Sequence, residues 1–440
     1  MRILHLIPRY HPAKGGAENH MAEISTRLVA KGHEVTVVTS DALDVELFWQ
    51  AGWRRSAETE SVIEGVRVRR FPIHHLPAAR YSYAAIRRLL WIFAKFSFVP
   101  TQLAWRLARF TPWVPELLPW LYKSHDSFDL VAAMGIGYEP WFEAGLLFAR
   151  RHNIPFVTYP LTHLGAGKQP GTDELGRFYT MRHQNALVLQ SDGVIAQTET
   201  EKQFYVEQGV KPDQIWPIGP GVNPSDFLAG EGRRGDRLKG DGAAFRMRHQ
   251  IDADSPLVIS VSQMSYDKGT IHTVEAVRLL WENGFDVELA LAGAVLEPFS
   301  RYLAQLPGKD RARIHLLGLI SDDERNDMLA AADMLVMPSR TDSFGIVYLE
   351  AWVHGKPVIG ADTWGVSDVI TNGKDGLLVP FGDVIALANT IGGLADESAL
   401  ANVMGKLGRD KVYAQHTWEH KIDAIEEIYT KLVKAHASCD

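Results

Sequence analysis

Residues 338–380 read PSRTDSFGIVYLEAWVHGKPVIGADTWGVSDVITNGKDGLLVP and indicate a strand end, an acidic loop, a helix, a strand, a glycine turn, a short helix and a final strand. Asp342 and Glu350 stand eight residues apart across the junction between the loop and the first helix, which Phe344 and Gly345 would open. A free helix N-terminus beside a glycine attracts phosphate, and carboxylates near it accept hydrogen bonds from hydroxyls. This stretch therefore predicts a site for a ligand that carries phosphate and many hydroxyls, as a nucleotide sugar does.

The composition of the 440-residue chain is that of an ordinary globular protein, with 46% hydrophobic and 22% charged residues. Its length favours two or three domains. The net charge of −7 gives no overall basic field, so we expect no nucleic-acid partner. The one cysteine, Cys439, cannot form a disulfide within the chain, which fits a reducing compartment.

The N-terminal sequence MRILHLIPRYHP is apolar only briefly and is interrupted by Pro8. It lacks the longer apolar core and the small-residue cleavage site of a signal peptide, so a buried first strand is the favoured interpretation. No uncharged apolar run in the sequence reaches the roughly 18 residues that a membrane-spanning helix needs. We therefore expect a cytoplasmic protein.

The pattern of strand, helix and strand over residues 2–7, 19–31 and 34–40 predicts a βαβ unit and hence a parallel sheet. Gly15 and Gly16 lie between the first strand and the helix, at the carboxyl edge of the sheet, where open α/β sheets bind ligands. The two glycines either let a ligand approach the backbone or form a plain tight turn. Their loop lacks the G-x-G-x-x-G fingerprint of dinucleotide binding.

Strands and helices alternate along the rest of the chain, which predicts an α/β fold of two doubly wound domains, with a cleft between them for a large ligand. A glycine-rich, charged segment at 229–244 predicts a flexible surface linker, and the second domain restarts at Pro256. Further helices are predicted at 140–152, 173–190, 199–208, 270–283, 322–331, 383–394 and 417–434, and further strands near 62–72, 128–134, 154–159, 192–198, 257–262, 287–293, 313–318 and 334–339.

The segment 80–123 combines eleven aromatic residues with seven basic residues against a single acid, Glu116, so its net charge is +6. Prolines divide it into short helices. Such a segment can lie on an anionic membrane surface. Its helices can equally pack on the domain while their arginines reach water. The sequence leaves both interpretations open.

Two single residues lie in loops that follow predicted strands. His163 comes after the strand at 154–159, at the carboxyl edge of the sheet, where a histidine acts in chemistry or is structural. Lys268 lies in the sequence Asp-Lys-Gly between a strand and a helix. It either places a point charge on a pyrophosphate or is a solvated loop lysine.

Five segments, taken in order, resemble the motifs of the family 4 glycosyltransferases, which have the GT-B fold. The family's glycine loop with its G-H-E-V strand corresponds to GGAENHMAEISTRLVAKGHEVTVVT (15–39), and its interdomain segment to GPGVNPSDF (219–227). Its phosphate loop corresponds to SVSQMSYDKG (260–269), and its E-x7-E signature to PSRTDSFGIVYLEAWVHGKPVIG (338–360). Its closing helix corresponds to HTWEHKIDAIEEIY (416–429). Each segment alone is weak support, whereas the ordered set, which spans nearly the whole chain, is strong support.

The resemblance implies two Rossmann-like domains that face an interdomain cleft. Residues 1–222 would form the acceptor-side domain, 223–253 a linker, and 254–414 the domain that binds the nucleotide-sugar donor. The closing helix, 415–440, would pack back onto the first domain.

The resemblance also implies a hexosyltransferase-like enzyme that moves a sugar from a nucleotide-diphosphate sugar to an acceptor hydroxyl with retention, without a metal or another cofactor. Lys268 would contact the diphosphate, and Asp342 and His163 would lie at the donor sugar, so these three are the predicted catalytic residues. The predicted donor-binding residues are Gly15, Gly16, Gln263, Lys268, Asp342, Phe344, Gly345, Ile346 and Glu350, the last of which would hold the ribose hydroxyls.

Several positions depart from the family's pattern. Asp342 is one methylene shorter than the usual glutamate, and Gln263 replaces the usual arginine of the phosphate loop, so it supplies no positive charge. Trp364 stands where a glycine is usual, and Asn223 where an aspartate is usual. Arg340, two residues before Asp342, either replaces the missing charge or is an exposed loop arginine.

The expected acceptor is a glycan or a lipid-linked molecule, because the segment 80–123 suggests a peripheral place at the inner face of the membrane. Two other classes of function stay open. One is a nucleotide-sugar epimerase or a phosphorylase on the same fold. The other is a sugar-nucleotide-binding protein whose catalysis is weakened by Gln263.

Overall fold

The computed structural model describes residues 1–124, 126–174, 176–227 and 240–437, which divide into two compact units. Unit 1 contains residues 1–164, 169–219 and 419–440, and unit 2 contains residues 165–168 and 220–418. Each unit is built on one sheet with helices packed against it.

Unit 1 begins with a βαβ unit, as the sequence predicts, and its strands are short and strongly apolar. Most of the closing helix also belongs to this unit, where the Tyr429 hydroxyl lies 2.8 Å from the Tyr159 hydroxyl. Its elements are β1 (Arg2–Leu6), α1 (Gly16–Ala30), β2 (Glu34–Ser40), β3 (Glu60–Ile63), β4 (Val66–Phe71), α2 (Ala79–Ala94), α3 (Thr101–Ala108), α4 (Leu117–Lys123), β5 (Leu130–Met134), α5 (Glu139–His152), β6 (Phe156–Tyr159), α6 (Arg182–Val188), β7 (Gly193–Ala196), α7 (Glu199–Glu207), β8 (Ile215–Pro217) and, after the elements of unit 2, α17 (Trp418–Ala437).

The sheet of unit 1 has the strand order β3-β4-β2-β1-β5-β6-β7-β8 and is parallel except for the hairpin of β3 and β4. The central strands are buried on both faces, as expected for a parallel sheet covered by helices. The chain order reverses between β1 and β5, so the crevice at the carboxyl ends of these two strands is where this type of sheet binds ligands.

Unit 2 carries a six-stranded, wholly parallel sheet with the order β11-β10-β9-β12-β13-β14. Its chain order reverses between β9 and β12. Its elements are α8 (Gly242–Arg248), β9 (Leu257–Val261), α9 (Thr270–Glu282), β10 (Glu288–Ala292), α10 (Glu297–Gln305), α11 (Gly308–Arg311), β11 (Ile314–Gly318), α12 (Asp322–Ala331), β12 (Met334–Met337), α13 (Ile346–Val353), β13 (Val358–Ala361), α14 (Val366–Val369), β14 (Gly376–Val379), α15 (Val384–Asp396) and α16 (Ser398–Gln415).

One predicted helix, 173–190, is wrong over its first half. Only Arg182–Val188 is α-helical, because the chain turns on itself before it. The Asp173 carboxylate accepts a hydrogen bond from the Gly176 amide, and a Cβ on Gly176 would lie 2.9 Å from the Gly171 Cα. The helix starts where the Gln184 side chain accepts a hydrogen bond from the Met181 amide.

The predicted flexible linker at 229–244 falls mostly on residues 228–239, which lie outside the described residues, as does Cys439. The part of the longer predicted linker (223–253) that follows this gap includes α8, whose Phe245 is fully buried. Arg246 donates hydrogen bonds to the Ala331 carbonyl and pairs with Asp333. Residues 242–248 therefore form part of the packed unit 2.

The segment 80–123 forms α2, α3 and α4, and whether it meets a membrane stays a prediction. Arg87 pairs with the buried Glu139, and Arg109 pairs with the buried Glu143, so two of its basic residues face inward. The other basic residues of the segment are exposed to solvent. Among the residues that the structure describes, no helix is both long and apolar enough to cross a membrane.

Candidate functional site

Unit 2 brings two loops together at the carboxyl edge of its sheet. The first loop, 262–269, connects β9 to α9, and the second, 338–345, connects β12 to α13. Because β9 and β12 are neighbouring parallel strands, both loops leave the sheet at the point where its chain order reverses. Open α/β sheets bind ligands at this point.

The two loops are joined by backbone and side-chain contacts. The Arg340 amide donates to the Asp267 carbonyl at 3.0 Å, and the Arg340 guanidinium lies 2.7 Å from the Asp267 carboxylate. Gly269, with φ +76°, lies directly against Pro338, and a Cβ there would overlap the Pro338 carbonyl oxygen. This close packing therefore requires a glycine at the end of the Asp-Lys-Gly sequence.

Lys268 and Asp342, two of the predicted catalytic residues, form an ion pair across these loops, with Lys268 Nζ 2.8 Å from Asp342 Oδ1. Both side chains are largely buried but still reach solvent, at 24% and 17% exposure. A lysine supplies three hydrogen-bond donors and a point charge, and a carboxylate supplies acceptors only. The pair can therefore offer a cation to phosphate and an acceptor to a hydroxyl within one site.

The predicted helix N-terminus is that of α13. Gly345 precedes it with φ +86°, and a Cβ there would overlap the Tyr348 ring. The Tyr348 hydroxyl donates to the Met337 carbonyl at 2.6 Å and so fixes the start of α13 against the end of β12. Phe344 is buried against His416. With Ile346 as its first residue, the helix begins three loop residues after Asp342 of the Lys268–Asp342 pair.

Glu350 lies in the second turn of α13, and its side chain is only 12% exposed. Burial raises the pKa of this carboxyl above its ordinary value, and the Arg325 guanidinium opposes that rise. Arg325 Nε lies 3.6 Å from Glu350 Oε2. Sequence patterns alone did not identify Arg325, because it comes from α12 and has no motif of its own.

Gln263 and Arg340, the two positions that bear on the missing cation of the phosphate loop, have different surroundings. Gln263 is exposed, whereas Arg340 lies over the rings of Tyr266 and Phe381, with its guanidinium carbon 5.5 Å and 5.1 Å from their centroids. Arg340 also pairs with Asp267. It is therefore a fixed cation beside the two loops, and the interpretation as an exposed loop arginine is wrong.

Gly15 and Gly16, at the switch point of unit 1, differ in their surroundings. A Cβ on Gly15 would overlap the Glu18 carboxylate, which pairs with Arg9 at 2.6 Å. A Cβ on Gly16 would have nothing within 4 Å among the described residues. Local packing therefore explains the first glycine but not the second, and the approach of a ligand to the backbone at Gly16 stays a prediction.

His163, the third predicted catalytic residue, lies in unit 1 after β6. Its imidazole meets the Tyr179 ring edge-on, with centroids 4.6 Å apart. The residue before it, Thr162, donates its amide proton to the buried Glu201 carboxylate at 2.6 Å. Neither Tyr179 nor Glu201 was identified from the sequence, although Thr198 and Glu201 have the spacing of a capping box.

The structure thus groups Lys268, Asp342, the start of α13 and Glu350 in unit 2, and places Gly15, Gly16 and His163 at the carboxyl edge of the sheet in unit 1. Within the described part of the chain, no three His, Cys, Asp or Glu side chains are placed to hold a metal ion. Independence from metal stays a prediction.

Two sequence families match the chain over most of its length. The family described as "Glycosyl transferase 4-like domain" matches residues 15–221, and that described as "Glycosyl transferases group 1" matches residues 242–411. A D-inositol 3-phosphate glycosyltransferase of Streptomyces scabiei is 25% identical, and the match covers 99% of this chain and 91% of that protein.

Solved structures of glycosyltransferases have the same fold. Anabaena HepE in complex with UDP matches with a TM-score of 0.69 and 18% identity, over 98% of this chain and all of that one. A sucrose-phosphate synthase from Thermosynechococcus elongatus matches with a TM-score of 0.70 and 20% identity, over 99% of this chain and all of that one. Together with the two doubly wound units and the two matching families, these similarities show that the chain belongs to the family 4 type of glycosyltransferases with the GT-B fold.

Proposed function

We propose that this glycosyltransferase uses a nucleotide-diphosphate sugar as donor and transfers the sugar to an acceptor hydroxyl with retention, without a metal. The observation that carries the proposal is the Lys268–Asp342 pair beside the N-terminus of α13. A cation and a helix N-terminus suit a diphosphate, and the carboxylates of Asp342 and Glu350 suit hydroxyls of the sugar and the ribose.

In the reaction, the bond between the anomeric carbon and the phosphate oxygen breaks, and both of its electrons go to the departing diphosphate. Lys268 and the amides that open α13 stabilise this developing charge. The acceptor oxygen forms the new bond on the face that the diphosphate leaves, and its proton passes to the diphosphate. Asp342 holds a hydroxyl of the donor sugar, and His163 orients the reacting sugar.

We propose UDP as the nucleotide of the donor. The support is that HepE structures were determined with UDP and with UDP-glucose, and that HepE shares the fold of this chain. The test is a thermal-shift screen of UDP, GDP and ADP, because a ligand that binds the native state raises its apparent stability. We expect UDP alone to raise the melting temperature. A rise with GDP alone or ADP alone would show that this nucleotide, and not UDP, is that of the donor.

Assays with UDP-, GDP- and ADP-sugars also distinguish a transferase from the other classes of function that the sequence leaves open. Product that forms only with added inorganic phosphate would indicate a phosphorylase, and a changed sugar still attached to its nucleotide would indicate an epimerase. Binding without turnover of any donor would indicate a sugar-nucleotide-binding protein.

We also propose that the acceptor is lipid-linked and that α2 meets an anionic membrane surface. The exposed residues of α2 include the large apolar side chains of Tyr81, Leu89 and Ile92 and the basic side chains of Arg80 and Arg88. Neither arginine has a hydrogen bond or ion pair with the described residues. Phe98, just beyond this helix, is 79% exposed. Exposed aromatic and aliphatic side chains beside unpaired arginines suit the interface of an anionic bilayer.

Co-sedimentation with vesicles tests this surface. Binding to vesicles that contain phosphatidylglycerol, and none to pure phosphatidylcholine vesicles, is expected at low salt. Equal and weak sedimentation with both would contradict the proposed membrane surface and leave the sugar transfer itself unaffected.

A further inference from the structure

Glu201, near the start of α7, is a buried carboxylate that joins the ends of two neighbouring strands. Its side chain is 2% exposed. Oε1 accepts a hydrogen bond from the Thr162 amide at 2.6 Å, and Oε2 accepts one from the Gln197 amide at 2.7 Å. Thr162 follows β6, and Gln197 follows β7, which pairs with β6 in the sheet. One carboxylate therefore fixes the backbone at the carboxyl edge of both strands.

Within the described residues, Glu201 has no ion-pair partner. Burying a carboxylate without a counter-charge disfavours folding, and the two short hydrogen bonds to backbone amides offset only part of that cost. Each carboxylate oxygen accepts from one backbone amide, so Glu201 fixes the backbone at both Thr162 and Gln197.

Thr162 is fixed at its side chain as well as at its amide. Its hydroxyl lies 2.8 Å from the Tyr205 hydroxyl, and Tyr205 lies one turn after Glu201 on the same helix. The preceding residue, Leu161, has φ +52°, which is the left-handed region that a leucine rarely adopts. Such a conformation persists only where its surroundings hold it, and here α7 holds the next residue.

The ring of His163 is fixed from the other side by Tyr179. The Phe178 carbonyl, next to this tyrosine, accepts hydrogen bonds from Gln184 at 3.0 Å and from Arg87 at 3.3 Å. Both donors are also bound to the buried Glu139 carboxylate. His163 thus follows a residue whose amide is held by Glu201, and its ring packs against Tyr179.

We infer that Glu201 is a positioning residue for His163: by fixing the Thr162 amide, it sets where the imidazole lies while the sugar is transferred. This inference rests on the proposed function, because it assigns His163 a role at the reacting sugar. Glu201 does not touch the substrate. Displacements of about 1 Å in a reacting group can lower a rate roughly 100-fold, so a loss of this order is expected when the carboxylate is removed.

The test is a double-mutant cycle of Glu201→Gln and His163→Ala, with kcat and the donor KM measured below the unfolding temperature of every variant. Glu201→Gln is expected to lower kcat about 10- to 100-fold with little change in KM, and to have no further effect when His163 is already alanine. Glu199→Gln, an exposed change on the same helix, serves as the control and should retain full kcat. An unchanged kcat in Glu201→Gln, or an equal loss in both backgrounds, would overturn the inference.

A second readout separates this inference from the proposed function. In protein labelled with ¹⁵N-histidine, the His163 ring signals, assigned by their loss in His163→Ala, should move in Glu201→Gln and stay in place in Glu199→Gln. This result does not depend on sugar transfer. If the wild type transfers no sugar, the proposed function fails, and unmoved His163 signals in Glu201→Gln would then overturn the positioning role as well.

Discussion

Lys268 Nζ lies 2.8 Å from Asp342 Oδ1, although the two residues are 74 positions apart in the chain. The strands that precede them, β9 and β12, are neighbours in the sheet, which is why their loops meet. A bound diphosphate would compete with Asp342 for the lysine. Under the proposed function, the Asp342 carboxylate would then be released to accept a hydrogen bond from a sugar hydroxyl.

Replacing Lys268 by alanine should weaken the binding of a nucleoside diphosphate while leaving the fold intact. A hydrogen bond to a charged group contributes about 1.5–3 kcal/mol, which corresponds to a roughly 10- to 150-fold loss of affinity. Titration calorimetry with UDP measures the loss. Uridine, which carries no phosphate, is the matched control ligand and should bind both proteins equally. A UDP affinity unchanged in Lys268→Ala would contradict the phosphate role of this lysine.

Glu350 predicts a pH-dependent difference in stability. Burial raises its pKa in the folded protein, so the unfolded state releases this proton at lower pH. The stability that Glu350 contributes is therefore fully present below the ordinary pKa of a glutamate. It is lost as the pH rises through the raised pKa of the folded protein. Glu350→Gln removes that loss, so its melting temperature relative to wild type should rise over the pH range just above the ordinary pKa of a glutamate. If the melting temperature of Glu350→Gln relative to wild type instead falls over this pH range, the pKa of Glu350 is lowered in the folded protein.

Gly16→Ala should separate ligand approach from local packing. A Cβ at this position meets nothing within 4 Å, so the melting temperature should stay close to that of wild type, whereas transfer should fall if a ligand lies against this backbone. Gly15→Ala is the matched comparison, because its Cβ would disturb the Arg9–Glu18 pair and lower stability. Full activity of Gly16→Ala would assign both glycines to a plain turn.

Removing Glu139 from its buried pair with Arg87 should strongly destabilise unit 1. Although burial alone would raise the pKa of Glu139, Arg87 and His183 lower it below its ordinary value. Glu139→Ala would leave Arg87 buried without its partner and should cost about 3–5 kcal/mol in urea unfolding. Glu116→Ala, on the surface, is the control and should cost little. A small loss in Glu139→Ala would mean that water reaches Arg87.

Charge reversal on the exposed face of α2 should weaken membrane binding. Arg88→Glu is expected to lower co-sedimentation with anionic vesicles several-fold, since each basic residue near such a surface contributes about 1 kcal/mol. Arg311→Glu makes the same change at an exposed arginine of unit 2 and should leave binding nearly unchanged apart from the altered net charge. Equal losses in both variants would indicate a response to net charge rather than a membrane-facing surface.

Much of the fold follows from local patterns in the sequence. The strand at 34–40 and the helix at 322–331 have the predicted bounds, because their periodicity and caps are local. The predicted helix 173–190 begins too early, since the turn that replaces its first half depends on the contact between Gly171 and Gly176. The long helix α16 was missed.

The candidate site was predicted residue by residue but not as a network. Lys268 and Asp342 could each be placed at a sheet edge from their flanking strands, yet their pairing depends on the order of strands, which spacing does not reveal. The same holds for Arg325 beside Glu350 and for Glu201 beside Thr162, where the partners come from separate elements.

The most direct test of the account is the release of nucleoside diphosphate from UDP-, GDP- and ADP-sugars, measured in the presence of EDTA for the wild type and for Lys268→Ala. We expect the wild type to consume a UDP-sugar and Lys268→Ala to do so at least about 100-fold more slowly, because the charge on the leaving group is then no longer neutralised. Consumption of no donor by the wild type, or equal rates for the two proteins, would contradict it.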